Sequence, residues 1–259
     1  MQTFFTQMNE EYINKHYPKR SVFAAVNKSN KKNGVGVNIL CGIFVLMFGA
    51  GIVWSIGRLL EYKEAGESDM MSTGIVILGF FIVMLVLSLV PIIITIKRNS
   101  LGAEGLIKKS AKISEYSESI IREFDRQALE SDSYILALTS KIKAVLMGQR
   151  NGVLTRDFIF LADAKNIVMK RSDLVGAYLV ARTVYTNGNS NIRTPLEYLT
   201  VSIISNKGIQ TLAETSLEAG KALIAMLKEQ NPELDTNDSE VMKETDYNKY
   251  WKKRFASLI

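Results

Sequence analysis

Two stretches without a charged residue, Val35 to Ile56 and Thr73 to Ile96, dominate the hydrophobic pattern of the chain. Each is long enough for the ~20 helical residues that cross a hydrocarbon core. The pattern therefore predicts a transmembrane hairpin over 35–97, with spans at about 35–58 and 73–97 and an outside loop at 61–72. So short a loop makes the two helices antiparallel neighbours, and Gly49, Gly51 and Ser55 of the first with Gly74, Gly79 and Ser88 of the second are candidates for the seam. Pro91 is expected to bend the second span. Transport proteins place ionisable residues inside their spans. None occurs in either stretch and nothing polar lines them, so the hairpin reads as an anchor.

Before the hairpin, residues 1–34 form a leader too long for a signal peptide. Phe4, Phe5, Met8, Tyr12 and Ile13 recur at near-helical spacing, which predicts a short amphipathic helix lying in the bilayer interface or packing on the soluble part of the chain. After the hairpin, residues 98–130 read as one juxtamembrane helix in which Leu106, Ile113 and Ile120 fall seven apart. That spacing admits a homodimer paired through this helix, the simpler expectation being a stripe packed on the domain that follows.

From Ser131 the period changes to that of strands. Val153–Leu161, Ile167–Lys170, Ala177–Tyr185, Glu197–Ser205 and Ile209–Leu212 are short and rich in β-branched and aromatic residues. Softer candidates lie at Tyr134–Thr139 and Ala144–Met147, and the polar run Thr186–Pro195 reads as a loop. A helix follows, with Thr215 and Glu218 as its capping box and Asn231-Pro232 at its end. The predicted fold class is an α+β membrane protein: a two-helix transmembrane hairpin plus a mostly antiparallel β domain over 131–232 capped by a C-terminal helix. Residues 233–259 read as an acidic linker and an amphipathic segment carrying Tyr250, Trp251, Phe255 and Leu258.

Charge orients this plan. Lys15, Lys19, Arg20, Lys28, Lys31 and Lys32 precede the first span, and Lys97, Arg98, Lys108 and Lys109 follow the second. Lysine and arginine mark the cytoplasmic side, so the expected location is the cell membrane, multi-pass with two spans, with both termini cytoplasmic. Within the domain, Lys141, Lys143, Arg150, Arg156, Lys165, Lys170 and Arg171 are the candidate contacts for anionic lipid head groups or for an unknown protein partner, because a domain tethered beside a membrane gains roughly 1 kcal/mol for each basic group near the surface. The stretch from Glu229 to Asp246 is acidic and could fold back on this basic face. On that expectation, deleting Asn231–Asp246 strengthens binding to anionic vesicles.

The run Leu154–Leu161 (LTRDFIFL), then Ser172–Leu179 (SDLVGAYL), a hairpin at Asn206–Gly208 and a capped helix ending Lys228–Leu234 (KEQNPEL) resembles the bacterial pleckstrin-homology-like (PH-like) domains. The whole chain looks like the uncharacterised bacterial membrane proteins that carry such a domain on two helices. The resemblance implies a small β-barrel or sandwich plugged by a helix, and binding of lipids or proteins in place of catalysis.

Catalytic chemistry has little to stand on. The chain contains no GxxxxGK[ST] loop, HExxH site or GxSxG elbow, and its lone histidine, His16, lies in the leader. Its lone cysteine, Cys41, lies in the first span, which rules out an intrachain disulfide. No cofactor or metal is expected, and the absence of a recognisable nucleic-acid module argues against nucleic acid as a partner. The expected function is a non-enzymatic membrane-anchored interaction module. A small oligomeric transport or channel-type component is the alternative.

Overall fold

The computed structural model describes residues 4–138, 151–163, 165–187 and 193–255. It divides into two compact units, one of residues 24–104 and one joining residues 1–23 to residues 105–259.

The first unit holds two helices long and apolar enough to cross a membrane. Helix α2 is Val22–Ala65 and α3 is Ser68–Ser100. At 1.5 Å per residue they are about 66 and 50 Å long, so each apolar stretch is the middle of a longer helix. Their surfaces are greasy: Leu46 is 76% exposed, and Val53 and Val76 are each 72% exposed. The connector is shorter than the expected 61–72, only Gly66 and Glu67 separating the helices. A Schellman motif stops α2 there: Gly66 has φ 72°, its N–H donates to Lys63 O at 3.4 Å, and Glu67 N–H donates to Tyr62 O at 3.0 Å.

Only part of the expected seam is used. A Cβ on Gly51 would lie 2.6 Å from the Phe81 ring and one on Gly74 would lie 2.7 Å from Leu59, whereas Gly49 and Gly79 face open space. Gly34, outside the expected span, sits equally close to Thr95. The seam also carries polar groups: Asn38 Oδ1 and Ser55 Oγ are buried without a partner among the described residues. This corrects the expectation that nothing polar lines the spans. Ser55 borders a cavity of about 40 Å³, more than the roughly 10–15 Å³ that one water needs.

The second unit is built on two sheets. Strands β1 (Phe5–Gln7), β2 (Tyr134–Leu136), β3 (Gly152–Leu154), β4 (Phe158–Phe160) and β5 (Val168–Lys170) form an antiparallel sheet in that order. Strands β6 (Leu174–Asn187), β7 (Arg193–Ser205), β8 (Gln210–Glu214) and β9 (Val241–Lys243) form a second, ordered β8-β7-β6-β9, whose β6–β9 pairing is parallel. Helix α6 (Leu217–Gln230) follows β8 and closes the core. Its Ala219, Leu223, Ile224 and Leu227 pack with Ile159 and Met169 of one sheet and Leu179, Val201 and Ile203 of the other.

Several elements depart from the sequence reading for identifiable reasons. Val153–Leu161, read as one strand, is a hairpin. Thr155 N–H donates to Phe158 O at 2.8 Å and Thr155 Oγ1 accepts from Phe158 N–H at 2.9 Å, turning the chain with no glycine or proline to announce it. The two ends of the polar run Thr186–Pro195 are strand, Asn187 pairing with Arg193, while residues 188–192 lie outside the described residues. The cap of α6 is Ser216, which accepts from Ala219 N–H at 3.2 Å, and Thr215 stands one residue earlier. The strand expected at Ala144–Met147 lies outside the described residues.

The leader up to Phe23 is part of the second unit. Its helix α1 (Glu10–His16) is capped by Asn9 Oδ1. Strand β1 pairs with β2, and Met8, Ile13, Tyr17, Val22 and Phe23 are buried. Of the two placements predicted for this segment, the structure contains the packing on the following domain.

Residues 98–130 are not one helix. Helix α4 (Gly102–Ser114) ends with Glu115 at φ 54°, where Tyr116 N–H reaches back to Ala111 O, and α5 (Glu118–Gln127) starts anew. This break interrupts the heptad spacing. Nor is the acidic part of 233–259 a linker, and Leu258 of the amphipathic segment lies outside the described residues. Asp235 N–H donates to Val175 O and Ala177 N–H to Asp235 O, β9 joins the second sheet, and helix α7 (Glu244–Arg254) covers that sheet's outer face with Tyr247, Tyr250, Trp251 and the adjoining Phe255. Glu244 pairs with Arg182 at 3.0 Å. The acidic segment thus joins the second sheet as a strand, whereas Arg156, Lys170 and Arg171 lie by the first, and deleting Asn231–Asp246 would remove part of the sheet along with the charge.

A basic groove beside helix α5

Four of the seven candidate contact residues are described. Lys141, Lys143 and Arg150 lie outside the described residues. Lys165 is exposed in the β4–β5 connection, at the opposite end of that hairpin from Lys170. Arg156, Lys170 and Arg171 come together, although Arg156 and Lys170 are 14 positions apart. The register explains this: Phe158 pairs with Lys170, and Arg171 N–H donates to Asp157 O at 2.8 Å, so the β3–β4 turn lies beside the end of β5.

These cations line an open groove of about 550 Å³ whose other wall is α5, with Ser119 and Ile120 of its first turn and Glu123 and Gln127 further along. A second groove of about 380 Å³, towards Leu227 and Asn231 at the end of α6, shares Arg156, Arg171 and Ser172 with the first. Helix α5 is held against the first sheet by Phe124, and Gln127 is the polar bolt between them. Gln127 is 2% exposed, its Nε2 donates to Asp157 Oδ2 at 2.7 Å and to Glu123 Oε1 at 3.0 Å, and its Oε1 accepts from Thr155 Oγ1 at 3.1 Å.

The groove's two carboxylates are thereby engaged. Asp157 takes the Gln127 amide and lies 3.5 Å from Arg156 Nε. Glu123 accepts from Arg126 at 2.6 Å, and Arg126 also holds Glu130. These donors depress the Glu123 carboxyl to about 2, the Arg126 hydrogen bond being the largest cause and Gln127 the next. An acid whose folded pKa is lowered contributes stability that is present above its ordinary value near 4.5 and is lost as pH falls through about 2. We expect a carboxyl-carbon NMR titration to find Glu123 still ionised at pH 3, and Arg126→Gln to return its midpoint towards the ordinary glutamate value.

Arg171 is fixed differently. Its Nη1 donates to Thr155 O at 2.9 Å and to Arg156 O at 3.3 Å, while Nη2 is shielded from solvent without an acceptor among the described residues. Burial pushes its pKa down and Asp157 opposes that. Lys170 Nζ lies 5.8 Å from the centroid of the Tyr116 ring. The Tyr116 hydroxyl in turn accepts from Lys170 N–H and donates to Asp173 Oδ2 at 2.6 Å. Ser114 Oγ accepts from Val168 N–H, so the exposed edge of β5 is satisfied by side chains of α4 and the turn after it. Sequence reasoning found the cations and expected the helical stripe of residues 98–130 to pack on the domain, as Phe124 of α5 does; it missed the groove positions of Ser119 and Gln127. The sharp amphipathicity of residues 118–127 is the signal that could have pointed to a helix docked on the sheet.

Among the described residues no group of histidine, cysteine and carboxylate side chains could hold a metal ion. Neither a protein-family model nor a curated protein nor a solved structure matches this chain.

Proposed function

We propose that this chain is a non-enzymatic, membrane-anchored interaction module. Two spans anchor it in a cell membrane with both termini cytoplasmic, and a PH-like domain binds anionic lipid or a protein partner. The observation that carries the reading is the convergence of Arg156, Lys170 and Arg171 on one concave surface in the unit attached to two long apolar helices. The order of strands, two mostly antiparallel sheets closed by α6, supports the PH-like description. The basic residues before α2 and after the apolar part of α3 support the orientation.

The test uses the full chain in nanodiscs of neutral phosphatidylcholine, mixed with vesicles of phosphatidylcholine alone or with added phosphatidylserine and separated by flotation. The expected result is association with the anionic vesicles only, weakened by salt as surface electrostatics requires. Where lipid fails, the reading requires a protein neighbour captured by cross-linking from the soluble unit in intact membranes. Absence of both, or solute flux through the reconstituted protein, overturns it.

A further inference from the structure

We propose that the groove between α5 and the β3–β4 turn is a binding site for a phosphate monoester, gripped by Arg156, Lys170 and Arg171. The proposal rests on the module reading above and assigns it a ligand chemistry and a place.

Three features support the assignment. The first is the charge balance: three cations line the groove against two carboxylates, and both carboxylates are engaged by Gln127, Arg126 and Arg156. Lys170 and Arg171 have no ion pair among the described residues, so the groove holds positive charge that the described part of the fold does not neutralise. The second is preorganisation. Two backbone carbonyls fix the Arg171 guanidinium through Nη1, so an anion in the groove meets a charge whose place is already set and whose ordering is not part of the cost of binding. The third is the opposite wall, where the Ser117 side chain bonds Ser119 Oγ at 2.7 Å and does not cap α5. Ser119 in that first turn lines the groove, and a helix start favours anions. A monoester dianion offers more acceptors and more charge than a carboxylate, which suits three cations better.

A phosphate monoester can arrive as a lipid headgroup or as a soluble ester. The experiment separates them with the full chain in neutral nanodiscs. Radiolabelled glycerol 3-phosphate is the soluble probe, by equilibrium dialysis. Vesicles carrying phosphatidic acid, compared with vesicles of equal charge carrying phosphatidylserine, are the lipid probe. Saturable binding of glycerol 3-phosphate, preference for phosphatidic acid, or both is expected. Lys170→Gln and Arg156→Gln should each weaken it about tenfold, the loss of one charge-assisted contact. Among the described residues neither head group holds a backbone carbonyl, so both variants are expected to fold, and Lys221→Gln on α6 should bind as the parent does. Binding to neither probe, or binding that Lys170→Gln and Arg156→Gln leave unchanged, overturns the site. Association with phosphatidylserine vesicles that survives in these variants would sink the groove and leave the module reading standing. Loss of all vesicle and protein association in the parent chain would remove that reading as well.

Discussion

Replacing Phe124 by alanine is expected to destabilise the unit that contains the sheets by about 3–5 kcal/mol, the range for deleting a large buried aromatic side chain. Phe124 is fully buried. Its ring lies 6.0 Å from Phe23 and 6.0 Å from Phe158, both edge-on, and 5.4 Å from Phe160. It thus joins α5, the start of α2 and the outward face of β4, and alanine would leave a cavity bounded by three rings that cannot all collapse into it. The neighbouring Asp125 Oδ1 accepts from Val22 N–H at 2.7 Å and from Phe23 N–H at 3.3 Å, so the helix start that packs on Phe124 is also tied to α5 by hydrogen bonds. A thermal or denaturant melt monitored by near-ultraviolet circular dichroism measures the effect, expected as a fall in Tm on the order of 10 °C. Leu217→Ala, at a position 41% exposed on α6, is the control and should cost less than about 1 kcal/mol. Equal melting of the Phe124 variant and the parent would show that α5 is not docked on the sheet, and the groove would lose a wall.

How much of this was legible varied with the kind of signal. Long apolar runs and the strands β6, β7 and β8 were read near their observed places, because burial imposes a period that one segment carries within itself. The capped end of α6 at Asn231 was legible for the same reason. What escaped depends on partners distant in sequence. Nothing in VLTRDFIFL marks a turn, since the Thr155 hydroxyl and backbone make it by bonding Phe158, and β4 looks like a continuation of β3 because both of its faces are buried: Ile159 enters the inter-sheet core while Phe158 and Phe160 meet Phe124. The leader's apolar spacing was visible, but the pairing of Phe5 with Leu136 that makes it part of the first sheet was not. The polarity of residues 231–246 suggested a loose segment, yet Tyr250 and Arg254 both reach Asp235, at 2.8 and 3.2 Å, and hold it to the sheet. For the candidate site, composition could nominate seven cations. Only the β4–β5 register could show that, among the described residues, Arg156, Lys170 and Arg171 converge.

The membrane reading makes the other large prediction, because the same substitution has opposite consequences in lipid and in water. Val83 and Leu87 stand one turn apart on α3 and are 57% and 58% exposed. If that surface faced water, changing both to lysine would be close to neutral for stability and favourable for solubility, as surface changes away from special contacts usually are. In a hydrocarbon core, a lysine near the centre of a span costs about 2.5–3.5 kcal/mol on insertion scales, and two on one face lie too deep for both to reach the interface freely. Val83→Lys with Leu87→Lys is therefore expected to lower the membrane-inserted fraction by well over tenfold, read as loss of resistance to alkaline carbonate extraction and as failure of α3 to insert in a microsomal assay. Changing the same positions to alanine keeps the face uncharged and should leave insertion intact. A lysine pair that is retained in membranes as well as the parent would place this face of α3 out of lipid, in contact with water or with another protein surface. The anchor would then have to be sought in α2 alone, whose apolar run from Val35 to Ile56 is shielded by none of these changes.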